Sequence, residues 1–133
     1  MAEPIYGPTN PRPSVCGVKK VASVIGLKPE QEHFDRALHA NVWSGVLERL
    51  RKSNVVNYSI YIAELGGQKY LFSYYDYIGV DYASDMKAIA SDPVTQKWWS
   101  ETDECQVRLP KTPKDEQWLP LESVFSDKFN KAR

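Results

Sequence analysis

The chain is poor in the features that would mark a specialised class. Its 17 basic and 17 acidic residues cancel, so no charge excess favours a polyanion, and nucleic acid is not an expected partner. There are only two cysteines, Cys16 and Cys105. Neither belongs to a CxxC or a Cys/His cluster, which argues against a zinc site. With Cys16 in a stretch that looks loose, free thiols in a reducing compartment are expected rather than a disulfide. No run approaches the roughly 20 apolar residues that span a bilayer, so no membrane association is expected. The first residues show neither a basic segment nor the apolar core of a secretory leader. The expected location is cytoplasmic.

What is present suits one soluble domain. The 133 residues, 42% of them apolar, can bury a core without metal or disulfide support. Residues 1–16, with Pro4, Pro8, Pro11 and Pro13 among small polar residues, read as a flexible tail. A single domain is expected over 17–126, and 127–133 reads as a polar tail.

Within the domain, Val18 to Leu27 is rich in β-branched residues and predicts a first strand. Pro29, with Glu30 and Glu32 behind it and Arg49, Arg51 and Lys52 at the far end, predicts one helix over about 29–52. Gly45 is its weak point, a place for another element to come close. Val55 to Glu64 alternates, with Val56, Tyr58, Ile60 and Ile62 expected on one face. Gly66-Gly67 makes a hairpin to a third strand over 69–77. Helical spacing follows from Asp81 to Ala90. Asp92 and Pro93 then cap and open another helix over about 93–103. Leu121 to Phe125 predicts a last strand. The order is that of the ferredoxin-like βαββαβ fold, of the α+β class. An antiparallel sheet with helices on one face leaves its other face to be covered. A homodimer, in the manner of a dimeric α/β barrel, is the expected remedy.

One row of the long helix carries chemistry. Steps of four place Asp35, His39 and Trp43 on one stripe, beside Phe34, Leu38 and Val42 as its apolar neighbours. A carboxylate, an imidazole and a flat indole together suit a small polar ring. Trp98 and Trp99 offer further flat surface. Neighbouring helical residues point about 100° apart, so one is expected to pack and one to line a cleft. Taken alone, Asp35 reads as a solvated charge pairing with Arg36 or Lys52, and Tyr58 reads equally well as core. His33 is expected to be exposed and without role.

The pieces His39-Ala40-Asn41-Val42-Trp43, Asn57-Tyr58-Ser59-Ile60-Tyr61 and Gln96-Lys97-Trp98-Trp99 occur in the order and spacing of a known group. Thr102-Asp103 and Leu121-Glu122-Ser123-Val124-Phe125 fit it too. Over about residues 18–125 the chain resembles the L-rhamnose mutarotase family, dimeric ferredoxin-like sugar anomerases. The resemblance implies that His39 is the catalytic acid, that Tyr58 contacts the sugar, and that Trp98 and Trp99 are its paired indoles. The chain departs from the pattern in two places. Asp35 stands where the family commonly has a sugar-contacting tyrosine, and Ala40-Asn41 follows the histidine where Asn or Asp and then Pro are usual.

The reaction so implied interconverts the α and β anomers of L-rhamnose or a related neutral aldose. It opens the ring and recloses it on the other face, by general acid–base catalysis. It calls for no redox step, metal or cofactor, and histidine suits it because its ordinary pKa is near neutrality. The expected catalytic residue is His39, the expected substrate-binding residues Asp35, Tyr58, Trp98 and Trp99, and the partner a monosaccharide. Two other readings use the same scaffold. One is a non-catalytic sugar- or small-molecule-binding module, which the change at Asp35 would permit. The other, by fold analogy alone, is a cofactor-free oxygenase.

Overall fold

The computed structural model describes residues 18–127. The expected tail over 1–16, with Cys16, and all but the first residue of the tail over 127–133 lie outside the described residues. The elements are β1 (Lys19–Leu27), α1 (Glu32–Ala40), α2 (Ser44–Lys52), β2 (Val55–Leu65), β3 (Gln68–Tyr77), α3 (Tyr82–Ala90), α4 (Pro93–Asp103), β4 (Gln106–Val107) and β5 (Leu119–Pro120). The strands are antiparallel in the order β2-β3-β1-β4, with β5 also on β1. This is the expected ferredoxin-like α+β arrangement. No described helix is long and apolar enough to cross a membrane.

Side chains alternate across a strand, so the register decides which residues face the helices. Ile25 pairs with Leu71 and Leu71 with Ile62. With Leu27 and Cys105 they make one end of the core, against which Trp118 packs. Val55, Tyr77 and Ile89 make the other end, with Leu50, Tyr75, Tyr82 and Met86 around them. The Gly66-Gly67 hairpin has both glycines at positive φ, 61° and 81°, as its tight turn requires. Asp92 caps α4 by accepting from the Thr95 N–H at 2.9 Å.

Three expectations need correction. The long helix over 29–52 is two helices after a short 3-10 turn at Pro29–Gln31. Asn41 (φ −140°, ψ 67°) and Trp43 (φ −60°, ψ 137°) are not helical. Asn41, Val42, Trp43, Ser44 and Gly45 are consecutive weak helix formers. Breaking there sets the Trp43 ring against Trp98 of α4, with centroids 5.1 Å apart. Gly45 is where α4 comes close: a Cβ there would meet Val94 Cγ1 at 3.0 Å.

The second correction concerns the face of β2. The register against β3 shifts between Val56 and Ser59, and Asn57 has φ 56°. The extra residue of this bulge reverses the alternation. Val55 therefore faces the core with Tyr58, Ile60 and Ile62, and Val56, expected with them, turns to the other side. Asn57 tolerates the left-handed conformation better than most residues, and its Nδ2 donates to Asp76 Oδ2 at 2.9 Å.

Third, Leu121–Phe125 is not a strand. The edge of β1 is completed by two short pieces instead, Val107 opposite Gly26 and Leu119 opposite Val24. Arg108 pins the intervening loop through the carbonyl oxygens of Glu116 (2.9 Å), Thr112 (3.1 Å) and Pro113 (2.6 Å). The chain makes one more sheet contact, Leu121 N–H to Ala22 O at 2.9 Å, and then leaves. Apolar spacing alone could not reveal that these shorter segments pair with β1 ahead of Leu121.

The bulge can be tested by denaturation. Asn57→Ile should cost about 1–2 kcal/mol through the left-handed backbone, and Asn57→Gly, which also loses the Asp76 hydrogen bond, clearly less.

Candidate active site

α1 turns an unusual side inward. Its buried residue is Asp35, whose side chain is 4% exposed, whereas Phe34, expected on the apolar face, lies out in solvent. Nor is Asp35 a solvated charge: Arg36 pairs with Glu32 at 2.9 Å and Lys52 with Glu48 at 3.6 Å. One turn on, His39 is 27% exposed and its Nδ1 lies 3.0 Å from the Asp35 carbonyl oxygen and 3.5 Å from Asp35 Oδ2. Its ring meets Trp98 edge-on, with centroids 5.6 Å apart. Trp98 is 6% exposed and lies between His39 and Trp43.

Between α1 and the sheet lies a cleft of about 280 Å3, lined by Leu27, Asp35, His39, Ile60, Ile62 and Leu71, with Arg36, Ala40 and Tyr61 also contributing. One wall is therefore hydrocarbon, and the other carries an acid–base pair. A larger hollow of about 420 Å3 lies around Gln31, Phe34, Ser100, Glu101 and Glu104. It contains no imidazole and no aromatic pair, whereas the acid–base pair lines the smaller space.

The electrostatics of the cleft follow from Asp35. Its hydrogen bond and charge hold the His39 pKa above the ordinary 6.5, outweighing partial burial, which pulls the other way. Asp35 Oδ1 is buried without a hydrogen-bond partner. Leaving an acceptor so costs about 1–3 kcal/mol, and more when it is charged. The Cys105 thiol, wholly buried, is pushed up to about 11 by burial and then by the Asp35 charge.

Of the expected site residues, Asp35, His39 and Trp98 come together. Trp99, the next residue on α4, is 41% exposed and outside the cleft lining. The bulge brings Tyr58 onto the inner face, where it stacks on Tyr75 with centroids 5.2 Å apart. The residue as a whole is 44% exposed, while desolvation of its hydroxyl, then the nearby Tyr82, push that group up to about 12. It lies beyond Ile60 along β2, also outside the cleft lining. Among the described residues no group of three or more His, Cys, Asp or Glu side chains could hold a metal.

A family model described as L-rhamnose mutarotase matches residues 20–126. The chain belongs to the L-rhamnose mutarotase family. That makes it one of a group of isomerases that interconvert sugar anomers. An L-rhamnose mutarotase of Listeria monocytogenes is 29% identical over 82 residues, 62% of this chain and 74% of that one. The crystal structure of an L-rhamnose mutarotase from Formosa agariphila matches in fold with a TM-score of 0.60 at 22% identity, covering 82% of this chain and 98% of that one.

Sequence reading missed the sheet's share of the cleft. Leu27 and Leu71 read only as strand apolar residues, and nothing in their spacing distinguishes a cleft wall from core. Cys105 carried no motif, and its place beside Asp35 depends on how the chain leaves α4.

The raised pKa of His39 has a testable sign. A folded imidazole that holds its proton more tightly than the unfolded one stabilises the fold fully below about 6.5, and this is lost as pH rises through the folded value. An NMR titration should find the His39 midpoint above 6.5.

Proposed function

We propose that the chain is a mutarotase for L-rhamnose or a related neutral aldose, with His39 as its general acid–base. The observation that carries this is the partly exposed imidazole of His39, held at Nδ1 by Asp35 in a cleft of monosaccharide scale, in a chain of this family. With Nδ1 engaged, Nε2 is the nitrogen left for substrate. In its charged form it donates a proton to the sugar ring oxygen as the bond from that oxygen to the anomeric carbon breaks. The anomeric hydroxyl gives its proton to water or to the Asp35 carboxylate. Rotation of the open-chain aldehyde and the reverse transfers close the ring on the other face, returning the proton to His39.

The remaining residues have roles that fit this chemistry. Asp35 accepts from sugar hydroxyls, and the hydrocarbon of Ile60, Ile62 and Leu71 suits the C–H faces of a deoxy sugar. Trp98 backs the imidazole. A buried free thiol at Cys105 accords with a reducing, cytoplasmic setting.

His39→Gln should slow anomer exchange of L-rhamnose, read by two-dimensional exchange NMR, by about 10²–10⁴-fold. An unchanged rate would remove His39 from the mechanism. Sugar binding without any exchange in the unaltered protein would favour the non-catalytic module instead.

We also propose a homodimer through the sheet face that no described helix covers. Tyr61 is 63% exposed there, opposite Phe72 in the register, with Phe72 and Tyr70 ring centroids 6.5 Å apart. Leu121, Val124 and Phe125 are exposed as well. Tyr61→Glu should convert the dimer to monomer in sedimentation, since burying an unpaired carboxylate opposes association.

A further inference from the structure

α1 roofs the cleft with little hydrocarbon to hold it there. Its one buried residue is the polar Asp35, whereas α2, α3 and α4 bury Val46, Ile89 and Trp98. No side chain caps its first turn, in contrast to Asp81 on α3 and Asp92 on α4. A short helix without these supports opens readily. Both of its ends are joints. Before it comes the 3-10 turn at Pro29–Gln31, which buries nothing, and after it the non-helical Asn41. Just outside these joints the chain is fixed again, by the Lys28 N–H donating to the Cys105 carbonyl oxygen at 2.9 Å and by Trp43 against Trp98.

An ion pair ties the first turn of α1 to the sheet. Ile62 and Leu71 stand opposite each other in the register and line the cleft. The next pair along the same face is Glu64 opposite Lys69. Lys69 is therefore at the rim, and its Nζ donates across to Glu32 Oε1 at 2.6 Å. Arg36, on the cleft lining, donates to Glu32 Oε2 at 2.9 Å. The Lys69 ammonium first, then Arg36, hold the Glu32 carboxyl below its ordinary value, so the pair is charged at neutral pH. The Glu32 side chain is 20% exposed and that of Lys69 36%, so water competes for the pair. A second partner for the lysine is already in place. Glu64 is exposed and directly opposite on the neighbouring strand, within the reach of cross-strand side chains.

We propose that α1 is a lid on the cleft and that Lys69 is its latch: paired with Glu32 it holds the helix down over the sugar, and handed over to Glu64 it lets the helix rise on its two joints for entry and release. The proposal rests on the mutarotase reading for its ligand, whereas the movement rests on the protein alone. The lysine keeps a carboxylate in both states, so the two differ by little and a ligand can tip them. His39 lies in the last turn, next to the Asn41 joint and against Trp98. Lifting of the first turn therefore displaces the imidazole least. Lys69 acts through Glu32 and touches no reacting atom, which makes it a positioning residue.

Hydrogen exchange and kinetics test the latch together. In the unaltered protein the amides of residues 36–40 should exchange by local opening, ahead of those of α4 and the strands, and should slow on saturation with L-rhamnose. Lys69→Met should speed their exchange by about two- to fivefold and raise KM for L-rhamnose by about the same factor. It should leave the strand amides unchanged and keep kcat within about twofold. Lys69→Arg, which can still pair, should restore exchange and KM. Glu64→Gln, which removes the second partner, should act the other way and slow the exchange of α1. A merely structural ion pair would lower the melting temperature and speed exchange everywhere alike, with KM unmoved and Glu64→Gln silent; that result overturns the proposal. So does exchange of α1 only together with β1 and β3 in the unaltered protein, a result obtained even if Lys69→Met fails to fold. If no preparation exchanges anomers, the mutarotase reading fails, while the amide rates of residues 36–40 still decide whether the lid exists.

Discussion

A carboxylate buried against an imidazole, four residues apart on a short helix, is the constraint around which this protein is arranged. Asp35 is nearly closed to solvent and His39 partly open, so α1 cannot settle onto the sheet as a hydrocarbon stripe would. A hydrophobic residue at 35 would close the space that Asp35 keeps polar. The charge instead leaves a cleft whose far wall is Ile60, Ile62 and Leu71. Burying an ion is costly unless it is paired, and here the compensation is the imidazole whose proton it holds. A local stability cost and a site of adjustable protonation are thus the same feature.

The supports of this pair come from two irregularities and one buried indole. The break at Asn41–Trp43 ends α1 just past His39 and turns the next indole toward Trp98. Trp98, buried on α4, then touches both His39 and Trp43, so the imidazole is held by α4 as well as by its own helix. The bulge at Asn57 restores Tyr58, Ile60 and Ile62 to the inner face after the change of register. Each irregularity departs from regular secondary structure, and each positions a side chain of the site or its border.

The same sheet has two very different faces. The inner one carries two apolar clusters, with the Ser23–Ser73 hydroxyl pair at 2.6 Å between the rows. The outer one carries Tyr61, Phe72 and Tyr70, and no described helix covers it. Two short strands from the end of the chain occupy the far edge of β1. Besides the outer edge of β2, what remains free is a whole face. Face-to-face pairing of two copies would hide aromatic surface without extending the sheet.

Much of this was legible in the residues. Strands β1 to β3, the glycine hairpin and the Asp92-Pro93 helix start follow from patterns of neighbouring residues, because turn chemistry and capping are local. The motif pieces around His39, Tyr58 and Trp98 likewise pointed to the family before any fold was known. Other features were decided only by packing at a distance. Whether Asp35 is solvated or buried depends on the sheet beneath it, not on Arg36 beside it. Which side of β2 carries Val56 depends on one residue of register against β3. Where the last strands join depends on which length of β1 is still unpaired. Local sequence determines what a segment can form; contacts between segments far apart in the chain determine which of its faces is buried, and the cleft exists only where those faces meet.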